Sequence, residues 1–289
     1  MIIPAYMVKD YFDFCVERHS IYVRRFEHND PWPWTDDEVL QTYKFTNVFR
    51  ELDTGTIYCR KYIREPYAEH PELFFNIVLY RYHNRIETQR YLGHFIEDYN
   101  PNRVVDKVKK YRDVGNTVFT GAYMITSHLG SSDKTEGMFG NALGDIWYRR
   151  RELEPQPGDS LQDAFNRLNG NAIGMGPFNT YEIITDLRWT RYLCDAADIY
   201  DWANPGPGAK RGIARIINNN DATTKGMKSD DYLYVMRYLV NVQRSNLPGW
   251  FPPMEMRDIE HSLCEFDKYM RVKCGEGRPR GKFKPPHLR

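Results

Sequence analysis

The chain has 289 residues and a formal net charge of +1, so its overall charge gives no argument for binding nucleic acid. Apolar residues make up 41% of it, which is enough to bury the core of one large domain or two small ones. Five cysteines without a Cys-x-x-Cys pair argue against a disulfide framework and a structural zinc site. No apolar run approaches the roughly 20 residues that span a membrane, so we expect no membrane association and a location inside the cell.

Hydrophobic spacing predicts a mainly α-helical protein with a few short strands. The first helix is expected over 5–26, and the second follows Thr35, which forms a capping-box pattern with Glu38. Later helices are expected over 71–98, from 101 onward and after residue 160. The segment 117–124 is the only β-like stretch, and a loop is expected over 127–144. Residues 1–270 are interpreted as a single helical catalytic domain, which can consist of two lobes with a boundary near 100–158.

Two glycine elbows, in IGMGPFNTYEI and NPGPGAKRGIARI, each lead into a helical stretch. Glycines allow a close backbone approach, and free amides at the start of a helix can bind an anion. After the second elbow, basic side chains follow at once and could meet the same phosphate. The predicted phosphate-binding residues are Gly174, Gly176, Gly206, Gly208, Lys210, Arg211 and Arg215.

Neither elbow belongs to a known nucleotide loop. The Gly-Lys-Ser/Thr ending of a Walker loop is missing, and no strand precedes either elbow as a dinucleotide fingerprint requires. Helix, glycine turn and helix instead resemble the helix-hairpin-helix of DNA-repair proteins. The alternative is a pair of interhelical turns with glycine caps.

Carboxylates on two helices are candidates for chemistry. Glu182, Asp186 and Trp189 share one helical face behind the first elbow, and repulsion between the two acids could raise a pKa there. The alternative for these acids is a solvated face that pairs with Arg188 or Arg191. Glu260 lies beside the apolar stripe of an amphipathic helix, where a carboxyl can be half desolvated.

Residues 271–289 form a basic tail with seven Lys or Arg and one acid. Such a Gly/Pro-rich tail suits contacts with phosphate. The alternative is a solubilising end of the chain.

Four blocks, read in order, resemble one protein family: PWPWTDDEVLQTYKFTNVFRELDTGTIY, GPFNTYEIITDLRW, GPGAKRGI and IEHSLCEFDKYMR. They look like the helical family of phage thymine hypermodification, which includes the helical domain of 5-hydroxymethyluracil DNA kinases and the alpha-glutamyl/putrescinyl-thymine pyrophosphorylases. The chain is also similar to antiphage glycosylases of hypermodified bases. The resemblance implies a helical fold akin to helix-hairpin-helix DNA glycosylases, with the elbows gripping the DNA backbone.

This sequence departs from the family in two respects. It has no P-loop, so we do not expect a complete kinase. The helix-hairpin-helix glycosylases carry a catalytic Asp about twenty residues after the hairpin; Asp230 and Asp231 occupy that window here, whereas the family-like block offers Glu260.

The function expected from this resemblance is a DNA glycosylase of bacterial antiviral defence. It would flip out and excise a 5-hydroxymethyl-derived pyrimidine, with or without an attached glucose, from double-stranded phage DNA and leave an abasic site. The predicted catalytic residues are Glu260, Asp186 and Glu182, and the predicted base-stacking residues are Trp32, Trp34 and Trp189. No cofactor, metal or obligate protein partner is expected, and the location is the cytoplasm of a bacterial or phage-infected cell.

Two alternatives remain open at the level of sequence. The first is a transferase that places an amino acid or polyamine on phosphorylated 5-hydroxymethyluracil in phage DNA. The second is an accessory DNA-binding domain without catalysis, against which the boundary carboxylates argue, since acids near phosphates weaken binding.

Overall fold

The structure is a computed structural model that describes residues 2–121 and 130–285. The prediction of a mainly α-helical protein is confirmed. Across these described ranges, β-type pairing is limited to one isolated antiparallel bridge between Tyr43 and Lys282. None of the helices in them is both long and apolar enough to cross a membrane.

The chain folds into two compact units, one of which is built from both ends of the chain. Unit 1 comprises 1–53 and 199–289, and unit 2 comprises 54–198. The helices of unit 1 are α1 (Ala5–Tyr22), α2 (Glu38–Thr42), α10 (Pro207–Ile217), α11 (Ser229–Asn246) and α12 (Met256–Lys273), with a π-helical turn at Val23–Glu27 and a 3-10 turn at Arg50–Leu52. Those of unit 2 are α3 (Thr54–Cys59), α4 (Leu73–His83), α5 (Ile86–Leu92), α6 (Pro101–Asp113), α7 (Leu143–Leu153), α8 (Leu161–Leu168) and α9 (Pro177–Leu187), with π-helical turns at Arg60–Arg64 and Glu136–Ala142.

The core of unit 1 forms where α10 crosses α12 and both pack on α1. Tyr11 of α1 stands edge-on to Phe266 of α12, with ring centroids 5.6 Å apart. The Tyr11 hydroxyl hydrogen-bonds the Ser262 hydroxyl at 2.5 Å, so this buried polar group is satisfied.

The core of unit 2 surrounds α4, every residue of which is buried. A helix that is buried on all sides must be covered on all sides, and α7 and α9 both pack on α4. Phe75 contacts Trp147 edge-on at 4.8 Å between ring centroids. Asn84 ends α4 in a left-handed conformation with a φ of 45°.

Local chemistry explains the differences from the predicted elements. The helix expected over 71–98 is divided at Asn84. The cap of α2 is Asp37 instead of Thr35, because the Asp37 carboxylate accepts from the amides of Val39 and Leu40. The loop expected over 127–144 is wrong for Glu136–Ala142, which forms a buried π-helical turn. The β-like segment 117–124 lies in part outside the described residues, and 117–121 contains no strand.

Candidate functional site

The second elbow begins α10 and packs tightly against α12. Gly206 is the N-cap of α10 and Pro207 its first residue, where a missing N–H costs nothing. A Cβ at Gly208 would overlap the Cys264 sulfur, and one at Gly212 would overlap the Leu263 carbonyl. These two glycines therefore allow the close approach of two helix backbones.

Glu260 of α12 meets the second elbow directly. Its Oε1 accepts the Gly206 N–H at 3.0 Å, although 54 residues separate them in sequence. A carboxylate thus occupies the anion position at the start of α10. Burial raises the pKa of Glu260 to about 7, and the Gly206 hydrogen bond and the charge of Arg50 offset only part of this rise. At neutral pH the group can therefore both accept and release a proton.

Other titratable groups surround the first turns of α12. Burial raises the pKa of Asp258 to about 6 and lowers that of His261 to about 3, so the imidazole is neutral. The His261 Nε2 lies 3.7 Å from the Asp53 carboxylate. Burial also raises the pKa of Cys264 to about 12, so this thiol is not a ready nucleophile.

The basic residues of α10 divide between the protein interior and solvent. Arg215 is buried and donates to Asp267, Glu276 and the carbonyl oxygen of Asn220. Its donors hold α10 to α12 instead of facing an external phosphate. Arg211 is part-exposed and donates to Asp267 at 2.9 Å, whereas the ammonium of Lys210 lies 5.3 Å from the centre of the Tyr232 ring.

The first elbow repeats the beginning of the second in unit 2. Gly174 is left-handed with a φ of 73°, which favours glycine. Gly176 is the N-cap of α9 and Pro177 its first residue. Nothing lies within 4 Å of a Cβ built on Gly176, so space around this elbow is open.

The acids of α9 lie in the interior of unit 2. Asp186 is 1% exposed and accepts from both Nε and Nη2 of Arg81, the latter at 2.9 Å, while Arg64 Nη1 lies 3.7 Å from its Oδ1. Glu182 is also buried, 4.0 Å from Arg81. The interpretation that these two acids lie on a solvated face is therefore wrong. The two arginines that face Asp186 come from other helical segments and carry no pattern in the sequence that would reveal them.

The predicted stacking residues are divided between the two units. Trp189 is half exposed in unit 2 beneath the guanidinium of Arg188. Trp32 and Trp34 meet edge-on in unit 1, with ring centroids 5.0 Å apart. The described part of the chain contains no group of three or more His, Cys, Asp or Glu side chains placed to hold a metal ion.

Comparison with known proteins establishes the family. The family model described as "5-hmdU DNA kinase, helical domain" matches residues 5–278, and the chain belongs to this family. A 5-hmdU DNA kinase of Bacillus phage SP10 is 28% identical over 302 aligned residues, which cover 92% of this chain and 45% of that relative. The chain thus spans less than half the length of the curated relative. No solved structure matches.

These findings confirm the resemblance to the helical phage family and correct the predicted reaction. The matched family and the matched relative are both named for a kinase, which transfers a phosphoryl group. The prediction of a glycosylase that hydrolyses the N-glycosidic bond is therefore wrong. The alternative, an amino acid or polyamine transferase, is not a kinase either and is therefore also wrong.

Proposed function

We propose that this chain, as a member of that helical family, takes part in phosphorylating the 5-hydroxymethyl group of 5-hydroxymethyldeoxyuridine in DNA. Its contribution is to bind the DNA, receive the modified base and supply a proton-accepting carboxylate. The phosphoryl donor is the second substrate of the reaction. Because DNA is the proposed substrate, the activity is placed in the bacterial cytoplasm, where phage DNA is accessible.

Glu260 is the proposed general base, and its geometry is the single observation that carries this role. In the reaction the hydroxymethyl oxygen forms a bond to the transferred phosphorus, and the bond from phosphorus to the donor's leaving oxygen breaks. The hydroxyl proton passes to the Glu260 carboxylate. A pKa of about 7 suits this transfer, because a base whose pKa lies near the working pH combines ionisation with proton affinity.

Asp186 is a weaker candidate for this base because its oxygens already face two guanidinium groups in the interior of unit 2. A carboxylate held in this way is a poor proton acceptor. Glu260 instead accepts one backbone N–H.

Contact with the DNA backbone is proposed for the first turns of α10. Lys210 and Arg211 project from this region, and Arg211 is 42% exposed at its side chain. The helix N-terminus adds a partial positive charge. A phosphate here would neighbour Glu260 and would raise the pKa of its carboxyl further.

The test measures binding of two duplexes that differ only in one base. Fluorescence anisotropy compares a duplex containing 5-hydroxymethyldeoxyuridine with the same duplex containing thymidine. We expect tighter binding of the modified duplex, and we expect Glu260→Gln to reduce this preference, since the hydroxyl then loses its charged acceptor. Glu97→Gln, which alters an exposed carboxylate in unit 2, serves as the control. Equal affinity of the wild-type chain for both duplexes would overturn the proposal.

A second readout follows the reaction itself. Because the chain has no P-loop, it is incubated together with a P-loop kinase domain, radiolabelled ATP, magnesium and the modified duplex, and label in the DNA is counted. Label that depends on the 5-hydroxymethyl group and falls in Glu260→Gln supports the carboxylate as base. Undiminished label in Glu260→Gln would remove Glu260 from the reaction.

A further inference from the structure

An aromatic cavity lies in unit 1 at the end of α1. With Phe283 in place its free volume is about 90 Å³, which is below the range typical of small-ligand sites. Its lining includes Tyr22, Arg25, Trp32, Trp34, Tyr43 and Phe283. The π-helical turn Val23–Glu27 supplies Arg25 and Phe26, and such turns occur frequently at functional sites.

Phe283 of the basic tail fills part of this cavity. Its ring stacks on Trp32 with centroids 5.3 Å apart and an interplanar angle of 22°. Trp34 stands edge-on to Phe283, with centroids 6.1 Å apart and planes at 72°. The guanidinium of Arg25 lies 4.8 Å from the Trp34 ring centre and 5.9 Å from that of Phe283. The cavity therefore already holds one flat aromatic ring between a stacking face and a cation.

The tail reaches the cavity through a short main-chain pairing. Lys44 N–H donates to the Gly281 carbonyl at 3.0 Å, and Phe283 N–H donates to the Thr42 carbonyl at 2.9 Å. Around Phe283 the tail is rich in glycine and proline and exposes the cations Arg278, Arg280, Lys282 and Lys284. A ring held by so short a pairing is well suited to exchange with another flat ring.

We propose that this cavity binds one unstacked nucleobase of DNA, stacked on Trp32 in the position that Phe283 occupies. This inference rests on the proposed function, because it takes DNA as the substrate. Stacking on an aromatic face beside cations that track phosphates is how proteins hold single-stranded nucleic acid. The tail cations then contact the flanking phosphates while Phe283 leaves the cavity. The tail is thereby both a plug for the cavity and a DNA contact.

The experiment uses single-stranded oligonucleotides with one 2-aminopurine, whose fluorescence falls when the base stacks. Phe283→Ala is expected to raise affinity about 10-fold and to deepen the quenching, because the base no longer competes with the phenyl ring. Phe283→Tyr keeps a ring in place and is expected to behave like the wild type. Tyr148→Ala removes a 77% exposed aromatic of unit 2 and serves as the control.

Adding Trp32→Leu to Phe283→Ala is expected to abolish both gains, whereas Trp32→Phe retains them. Unchanged binding by Phe283→Ala would overturn the cavity as a base site. Weaker binding would also overturn it and would make Phe283 itself the DNA contact. Because Phe283 lies in the tail, this variant tests the proposal even where Trp32→Leu does not fold.

Failure of this inference differs from failure of the proposed function. The same variants are measured on the paired duplexes with and without the 5-hydroxymethyl group. A preserved preference for the modified duplex without any effect of Phe283→Ala overturns the base cavity alone. A 10-fold effect of Phe283→Ala without that preference overturns the proposed function and leaves a site for unmodified bases.

Discussion

Each unit holds a carboxylate near a helix that begins with Gly-Pro, Asp186 fully buried and Glu260 half-buried, yet the two are stabilised in different ways. Asp186 keeps two arginines around it in unit 2. Glu260 in unit 1 receives one backbone N–H, and burial raises its pKa to about 7. A buried acid can be paired or can move its pKa towards the neutral form. The first arrangement stabilises the fold, and the second is the one that we propose for a proton acceptor.

The two elbows also differ in how closely other parts of the protein pack against their glycines. The open space around Gly176 contrasts with the crowded α10–α12 crossing, where Gly208 and Gly212 face the backbone and side chains of α12. A glycine-rich elbow in sequence thus has two physical uses. One use is a turn whose positive φ favours glycine, as at Gly174, and the other is a close contact between two helices.

The largest expected effect comes from breaking the ion pair in unit 2. Asp186→Ala leaves Arg81 and Arg64 in the interior without this acid, and removing one partner of a buried pair costs about 3–5 kcal/mol of unfolding free energy. Urea denaturation followed by circular dichroism measures this loss. Glu152→Ala, which cuts only an exposed pair with Arg149, is the control. A loss below about 1 kcal/mol in Asp186→Ala would make the contrast between the two carboxylates untenable.

The next effect tests the helix crossing. Gly212→Ala places a methyl group against the Leu263 carbonyl, which is backbone and yields poorly, so a loss of about 1–3 kcal/mol is expected. Gly176→Ala meets nothing within 4 Å and loses only part of an N-cap, about 0.5–1 kcal/mol. Thermal melts of both variants rank the two elbows. Equal melting temperatures would show that the crossing tolerates a Cβ.

A pH dependence separates Glu260 from Asp186. The pKa of Glu260 is about 7 in the fold against an ordinary 4.5, so the folded chain holds a proton that the unfolded chain releases. The wild type therefore loses stability as pH rises from about 4.5 to 7, by about 1–3 kcal/mol. Glu260→Gln cannot ionise and lacks this loss. We expect the variant to gain stability on the wild type across that window, as read from urea titrations at pH 5 and pH 8.

His261, in the same helix, changes the stability with pH in the opposite direction to Glu260. Burial lowers its pKa from 6.5 to about 3, so below pH 6.5 the unfolded chain takes up a proton that the folded chain refuses. Protonation of His261 in the unfolded chain therefore lowers the stability as pH falls, and this effect is the same in the wild type and in Glu260→Gln. A difference between those two proteins that shrinks as pH rises above 5 would contradict the assignment to Glu260.

The smallest expected effect concerns DNA binding by α10. Lys210→Ala is expected to weaken affinity a few-fold and to lower the slope of log affinity against log salt by about 1. Lys225→Ala removes an exposed charge from a loop of the same unit and is the matched control. Equal salt slopes for Lys210→Ala and the wild type would remove the second elbow from the DNA contact.

Several features of this protein followed from its sequence. Apolar residues at helical spacing predicted the helical fold, since that periodicity depends only on which face of a helix is buried. The position of Glu260 beside the stripe of α12 marked it as a half-desolvated acid. The four family-like blocks identified the family, but the reaction assigned from them was wrong, because a shared fold does not fix the chemistry.

Only the tertiary structure decided which partner each charged group meets. Asp186 and Arg81 are 105 residues apart, Glu260 and Gly206 are 54 apart, and both pairs depend on how helices cross. Arg215 turned inward to Asp267, although its place after the elbow suggested phosphate. Phe283 lay in a basic tail without helical or strand periodicity, so nothing local connected it with Trp32. Spacing along a chain determines faces, whereas contacts between faces depend on distant residues.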